Sequence, residues 1–326
     1  MQHSNIKHST IQQSDHITPS PSIAAASHWR DYLGLCKLKV VAVMLLTVLV
    51  GMCLAVPELP AFSTLFWGLS GIGLASCSAA AVNHVVDSHI DEKMARTRHR
   101  PLPQGKVTHQ QALLFAAVIG VTGITTLVIF INPLTAWLTL ASLIGYAFVY
   151  SMWLKRATPQ NIVIGGVAGA APPLLGWVAV TGSLDANSLL LMLIIFAWTP
   201  PHFWALCIAR KADYQKAGIP MLPVTHGEAF TKLQIILYTL LMVATTAFPY
   251  LTQMSGELYL IGVVALNLRF MQWAWKVYNS DDKQVAMGMF RYSITYIMML
   301  FVVLLIDHYY AFFSRGGKAP NRTLQI

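Results

Sequence analysis

Charged residues are scarce in this chain, making up 11% of its 326 residues, against about 25% in a soluble globular domain. A water-facing surface cannot be built from so few charges, whereas a lipid-facing one can. Acidic residues are scarcer still, with 13 Asp and Glu against 22 Lys and Arg. In a soluble chain the resulting net charge of +9 would point to nucleic acid. Beside 56% hydrophobic residues it reads instead as basic cytoplasmic loops between membrane spans, and no nucleic-acid partner is expected. Cysteine is also rare. Cys36, Cys53, Cys77 and Cys207 show no CxxC spacing and fall mostly in apolar stretches, which excludes a disulfide framework or a thiolate metal site and leaves small core residues. Residues 1–28 lack any apolar run and are rich in Ser, His, Gln and Pro, so a disordered tail is expected there. The same segment lacks the charged start and apolar core of a secretory signal, and it is poor in Arg for a mitochondrial transit peptide.

What is present in quantity is the long apolar run. Nine occur, near Val40–Val56, Ala61–Val82, Ala112–Ile131, Leu134–Leu154, Ile162–Thr181, Ser188–Ile208, Leu233–Thr252, Leu258–Val277 and Tyr292–Phe313. Most have the ~20 residues that a helix needs to cross ~30 Å of hydrocarbon, and helices close their backbone hydrogen bonds internally. The fold expected is all-α: nine transmembrane helices in one domain, 29–313, around a central chamber, followed by a short tail at 314–326. The eighth run carries Arg269 and Lys276, which are long enough to snorkel to an interface. The connections after runs 1, 3, 5 and 7 contain no Lys or Arg. Those after runs 2, 4 and 6 contain Lys93, Arg96, Arg98, Arg100 and Lys106, then Lys155 and Arg156, then Arg210, Lys211, Lys216 and Lys232. This asymmetry puts the N-terminus and the even-numbered loops in the cytoplasm, where they form a polar cap. Arg315, Lys318 and Arg322 run against it, since an odd number of spans puts them outside.

The acidic residues gather in the same loops. Asn83, Asp87 and Asp91 recur every four residues, so on a helix they share one face. Two carboxylates one turn apart repel unless a cation lies between them, and Mg²⁺ prefers one or two carboxylates completed by water and substrate phosphate. Arg96, Arg98 and Arg100 follow at once, and guanidinium groups bind phosphate bidentately. Alone, the arginines fit an ordinary positive-inside loop equally well. With the acidic face they describe a magnesium–diphosphate cradle. In run 6, Pro200 and Pro201 interrupt the helical pattern beside His202. An ionisable residue inside a span suggests function, although a neutral histidine bonded to a carbonyl freed by proline fits as well.

Asn83, Asp87, Asp91, Met94, Arg96, Thr97, Arg100 and Pro101 together resemble the first signature of the UbiA-type intramembrane prenyltransferases, and more narrowly their haem-farnesylating branch. The resemblance extends over about residues 30–312. It implies that Asn83, Asp87 and Asp91 hold Mg²⁺ and that Arg96, Arg98, Arg100, Lys155 and Arg156 bind diphosphate, with Asp87, Asp91 and Lys155 at the catalytic centre. The stretch from Tyr150 to Asn161 matches the middle motif, and Tyr150 would line the allylic end of the substrate. Asp213 stands after run 6 as Asp87 stands after run 2, but Ala217 replaces the second acid of a DxxxD, so a second metal site would rest on Asp213 alone. His202 and His84 would face the acceptor. His202 lies nine residues before Lys211, about 13 Å along a helix, a depth suited to a macrocycle. The substrates implied are farnesyl diphosphate and haem B, in a bacterial inner membrane or, as a minor option, a mitochondrial one. A downstream haem A-forming enzyme or terminal oxidase assembly would be the partner. A polyprenyltransferase acting on an aromatic quinone precursor is the alternative within the class. A haem or lipid-diphosphate transporter is the alternative outside it, although transporters hold their ionisable site nearer the midplane.

Overall fold

The computed structural model describes residues 28–94 and 97–314. The tails expected at 1–28 and 314–326 fall almost wholly outside the described residues, and Arg96 falls wholly outside them. Among the described residues all regular secondary structure is helical, with no strand. In order, α1 is Trp29–Leu35, α2 Leu38–Leu54, α3 Phe62–Val86, α4 Ser88–Lys93, α5 His109–Phe130 and α6 Pro133–Ile144. The last runs on as a π-helix over Gly145–Leu154 and a final turn, α7, at Lys155–Ala157. Then come α8 Asn161–Ala170, α9 Pro172–Thr181, α10 Ala186–Ala209, α11 Lys211–Lys216, α12 Leu222–Thr225, α13 Gly227–Leu251, α14 Glu257–Tyr278 and α15 Lys283–Ser314.

Seven of these helical stretches are long and apolar enough to cross a membrane, and the count is eight if α1 and α2, bent by 57°, are taken as one. The helix at the eighth apolar run, α14, is 22 residues long but less apolar. Its Arg269 and Lys276 lie 5.7 and 5.2 Å from the ring centroid of Trp273, which gives each cation an aromatic face instead of lipid. Asp307 of α15 accepts hydrogen bonds from the backbone N–H groups of Gly256 (2.7 Å) and Tyr259 (3.1 Å), capping α14 from a neighbouring helix. Large side chains such as Leu114, Val121, Trp137 and Ile261 lie exposed on the outer faces.

Local sequence sets the helix ends. Thr108 accepts from Gln111 N–H (3.2 Å) to start α5, and Asp185 does the same for Ser188 N–H (3.0 Å) at α10. Pro172 and Pro173, which lack N–H groups, stand where the fifth apolar run divides into α8 and α9. Pro200 and Pro201 do not interrupt theirs, because α10 runs through both. Helix α10 is the hub, packing on α8, α9, α13 and α15. Backbones approach closely where the sequence supplies glycine. A Cβ on Gly51 of α2 would lie 2.2 Å from Pro173 O, and one on Gly176 of α9 would lie 2.1 Å from Val48 O. Gly71 and Gly123 allow the same approach between α3 and α5. The four cysteines are free thiols, with Cys36, Cys53 and Cys207 buried and Cys77 half-buried.

Candidate active site

The acidic motif sits where α3 ends. Asp87 closes α3 and opens α4, and the one-turn spacing survives the junction: Asp87 N–H bonds to Asn83 O (3.0 Å) and Asp91 N–H to Asp87 O (2.8 Å). All three side chains are buried. Each carboxylate is held by a base that the sequence singled out. Lys155 Nζ lies 2.6 Å from Asp87 Oδ2, and Arg100 Nη1 lies 2.6 Å from Asp91 Oδ2. Asn83 Nδ2 donates to Asp87 Oδ2 (3.1 Å) and to Ser151 Oγ (2.9 Å). Thr97 Oγ1 donates to Asp91 O (3.1 Å), tying the loop after α4 back onto the motif. The loops after the second and fourth apolar runs therefore converge on one site.

A π-helix leads into that convergence. Its wider turn carries Tyr146, Tyr150 and Ser151 to the site's edge and delivers Lys155 to Asp87. Ser151 Oγ also donates to Tyr146 O (2.9 Å), one wide turn back. Tyr150 stacks on Tyr146 with ring centroids 5.6 Å apart. Gly165 of α8 leaves room for that ring, because a Cβ there would lie 2.1 Å from Tyr150 Cδ2.

Below the site lies a cavity of about 530 Å³. Lys37, Ala79, Tyr146, Trp198, His202 and Phe290 are among its walls, so it extends from the acidic site down to the proline-containing part of α10. Lys37 stands at the bend between α1 and α2 and donates through Nζ to Asn83 Oδ1. Its backbone is left-handed, with φ 49°, a conformation that a lysine adopts only when its surroundings impose it. His202 stacks on Trp198 and on Phe290, with centroids 4.1 and 4.7 Å away. Its Nδ1 lies 2.6 Å from Ser293 Oγ, so a side chain of α15, not a carbonyl freed by proline, holds the ring.

The other expected residues are placed less centrally. Arg156 is exposed and donates to Val86 O (3.2 Å), while Arg98 is exposed. Asp213 on α11 lies 3.8 Å from Arg210. Among the described residues no group of three or more His, Cys, Asp or Glu side chains gathers to hold a metal, so Asp213 is not joined to Asp87 and Asp91 in one cluster. His84 is buried, and neither ring nitrogen has a hydrogen-bond partner among the described residues. Tyr146 rather than Tyr150 is among the residues lining the cavity. The sequence reading missed Lys37, Ser151, Tyr146 and Ser293. Lys37 carried one usable signal, a cation at the very start of an apolar run. A serine or tyrosine within such a run carries none.

The donor set fits a divalent cation. Asp87 Oδ1 is buried without a hydrogen-bond partner among the described residues, which is costly unless a ligand completes it. Two carboxylates leave the remaining coordination positions to substrate oxygens and water, the usual arrangement for Mg²⁺.

This fold and site define a class: a helical bundle with an acidic and basic cradle at one end and an apolar cavity beneath it. Residues 44–301 match the model of the UbiA prenyltransferase family, and the chain belongs to that family. It is 59% identical over 290 residues to protoheme IX farnesyltransferase of Marinobacter nauticus, covering 89% of this chain and 96% of that one. It is 60% identical over 283 residues to protoheme IX farnesyltransferase 1 of Pseudomonas putida, covering 87% and 95%. In structure it resembles a digeranylgeranylglyceryl phosphate synthase, with TM-score 0.73, 18% identity and coverage of 86% and 98%. It also resembles a UbiA homologue from Archaeoglobus fulgidus bound to GPP and Mg²⁺, with TM-score 0.58, 16% identity and coverage of 84% and 99%.

Proposed function

We propose that this chain transfers the farnesyl group of farnesyl diphosphate to a vinyl group of haem B, with addition of water, to give haem O. The observation that carries the reading is the paired cradle, Asp87 with Lys155 and Asp91 with Arg100, at the head of an apolar cavity. The high identity to relatives named for this reaction supports the choice of substrates.

Asn83, Asp87 and Asp91 would hold Mg²⁺, with Asp213 a candidate for a second ion. When bound, the metal supplies Lewis-acid neutralisation of the diphosphate. Lys155 and Arg100, now on the carboxylates, move their charge to the diphosphate oxygens as the C–O bond breaks. Arg98 and Arg156 add charge at the rim, and Arg96, from the loop that holds Arg98, is a further candidate for binding diphosphate. The apolar wall receives the prenyl chain and excludes water from the allylic cation. The vinyl carbon of haem attacks that cation, water captures the resulting cation beside the ring, and one proton leaves. Tyr146 and Tyr150 present aromatic faces near the allylic end. His202 presents its ring to haem from the cavity wall, and His84 is a further candidate for acceptor contact.

The same reading takes the protein as a nine-span protein of a bacterial inner membrane. The bent α1–α2 pair serves as the first span and α14 as the eighth, and the N-terminus and the cradle lie on the cytoplasmic side. Residues 29–313 form one domain, and an enzyme making haem A or assembling a terminal oxidase would take the product. Purified protein given farnesyl diphosphate, Mg²⁺ and either haem B or a phenolic quinone precursor tests the acceptor. Mass analysis should find hydroxyethylfarnesyl haem and no prenylated phenol. Prenylated phenol with unmodified haem would overturn the reading.

A further inference from the structure

Ser293 has no place in the motifs that define the site, yet it is fully buried and bonded on three sides. Its Oγ lies 2.7 Å from Phe290 O and 2.6 Å from His202 Nδ1, and its carbonyl accepts from Trp198 Nε1 (2.9 Å). A hydroxyl has one hydrogen. A carbonyl oxygen can only accept, so the contact with Phe290 O is favourable only when that hydrogen points to it. Ser293 Oγ must then accept from His202, and Nδ1 must carry the imidazole proton. The opposite tautomer would set two oxygens against each other at 2.7 Å. Trp198 and Phe290 stack nearly parallel to the imidazole, at 18° and 26°. Two such rings cannot share one face of a five-membered ring, so they cover both. Rotation is blocked, one edge is bonded to Ser293, and Nε2 is the ring nitrogen left as a lone-pair donor in a side chain that lines the cavity.

We propose that Ser293 is a positioning residue: it holds His202 as the Nδ1–H tautomer and so keeps Nε2 available to the iron of a metalloporphyrin acceptor. The inference rests on the reading of His202 as the residue facing haem. It assigns to α15 the part that an orienting carbonyl or carboxylate plays beside many metal-bound histidines. Helix α15 thereby shapes acceptor recognition, while the diphosphate site belongs to α3, α4 and the π-helix.

The test uses the full-length protein in detergent, labelled with ¹⁵N-histidine and free of haem, with His202→Gln identifying the resonances. The parent and Ser293→Thr should show His202 with protonated Nδ1 and bare Nε2, and Ser293→Ala should shift population toward Nε2–H. Ferric haem titrated into the same proteins should bind Ser293→Ala more weakly, by roughly 10-fold to 100-fold, with an altered axial-ligand spectrum. Ser293→Thr should restore both, and farnesyl diphosphate binding should be the same in all three. If Ser293→Ala keeps the parent's tautomer and haem affinity while His202→Gln loses the axial signature, His202 is the ligand and Ser293 does not set it. If His202→Gln binds haem with an unchanged spectrum, the ligand reading fails and the role of Ser293 fails with it.

Discussion

Asp87 has one oxygen in an ion pair with Lys155 and the other buried with no hydrogen-bond partner among the described residues. That imbalance explains why the motif needs both an acid and a distant base. Without a cation the lysine keeps a buried carboxylate from standing alone; on the proposed reading, a bound cation would free it to face phosphate. Asp87→Asn and Asp91→Asn should each lower turnover by on the order of 100-fold or more, while the proteins still insert and bind ferric haem. Asp213→Asn should cost less, since Asp213 is not gathered with the other two. Initial-rate assays at saturating Mg²⁺ check this, and parental activity in Asp87→Asn would refute the cradle. Lys155→Met should destabilise the metal-free protein by roughly 3–5 kcal/mol, because it strands a buried charge. Mg²⁺ with diphosphate should recover part of that loss in a thermal melt. The sequence displayed these residues well, since charges are rare in it and four-residue spacing is visible by eye. Lys37 and Ser151 were hidden because their role is to hold Asn83, a contact made across 46 and 68 positions of chain.

At the scale of elements, the π-helix and the glycine contacts decide where the site can form. Lys155 reaches Asp87 from the end of ten residues wound as a π-helix, a choice that apolar periodicity does not announce. The run was readable as a span but not as a wide helix, because Gly145–Leu154 is as apolar as its neighbours. Prolines were legible only in part. Pro172 and Pro173 divide their apolar run into two helices, whereas Pro200 and Pro201, expected to interrupt theirs, are absorbed within α10. The glycines are more specific. Gly51→Ala and Gly176→Ala each put a Cβ within 2.2 Å of a backbone oxygen of the facing helix, so no rotamer change relieves them. Each should destabilise the protein by about 1–3 kcal/mol, read as a lower melting temperature in detergent, with a larger effect for valine. A Gly51→Ala protein that melts with the parent would show that α2 and α9 are not so closely packed.

For the whole molecule, the chamber has two unlike ends, with charge at the head and apolar wall below, and the proposed reaction divides between them. Most of that plan was visible in the sequence, from nine apolar runs and from basic residues confined to alternate connections. The exception is α14, whose charges leave it outside the seven or eight helices that qualify by length and apolarity. Its cations are accommodated by Trp273, three or four residues away on the same helix. Single cysteines placed at exposed positions in the loop after α4 and in that after α11 should both label from the cytoplasmic side of sealed vesicles, and labelling from opposite sides would separate Asp213 from the cradle. The central claim is that this cradle drives metal-dependent farnesyl transfer to haem. It is tested most directly by incubating the purified protein and its Asp87→Asn variant with haem B and farnesyl diphosphate, with Mg²⁺ or with a chelator, and measuring haem mass together with released diphosphate. The parent with Mg²⁺ should yield one farnesyl group, one water and one diphosphate per modified haem, and the variant and the chelated protein should form modified haem slower by on the order of 100-fold or more. Modified haem from Asp87→Asn at the parental rate, or from the parent without metal, would contradict it.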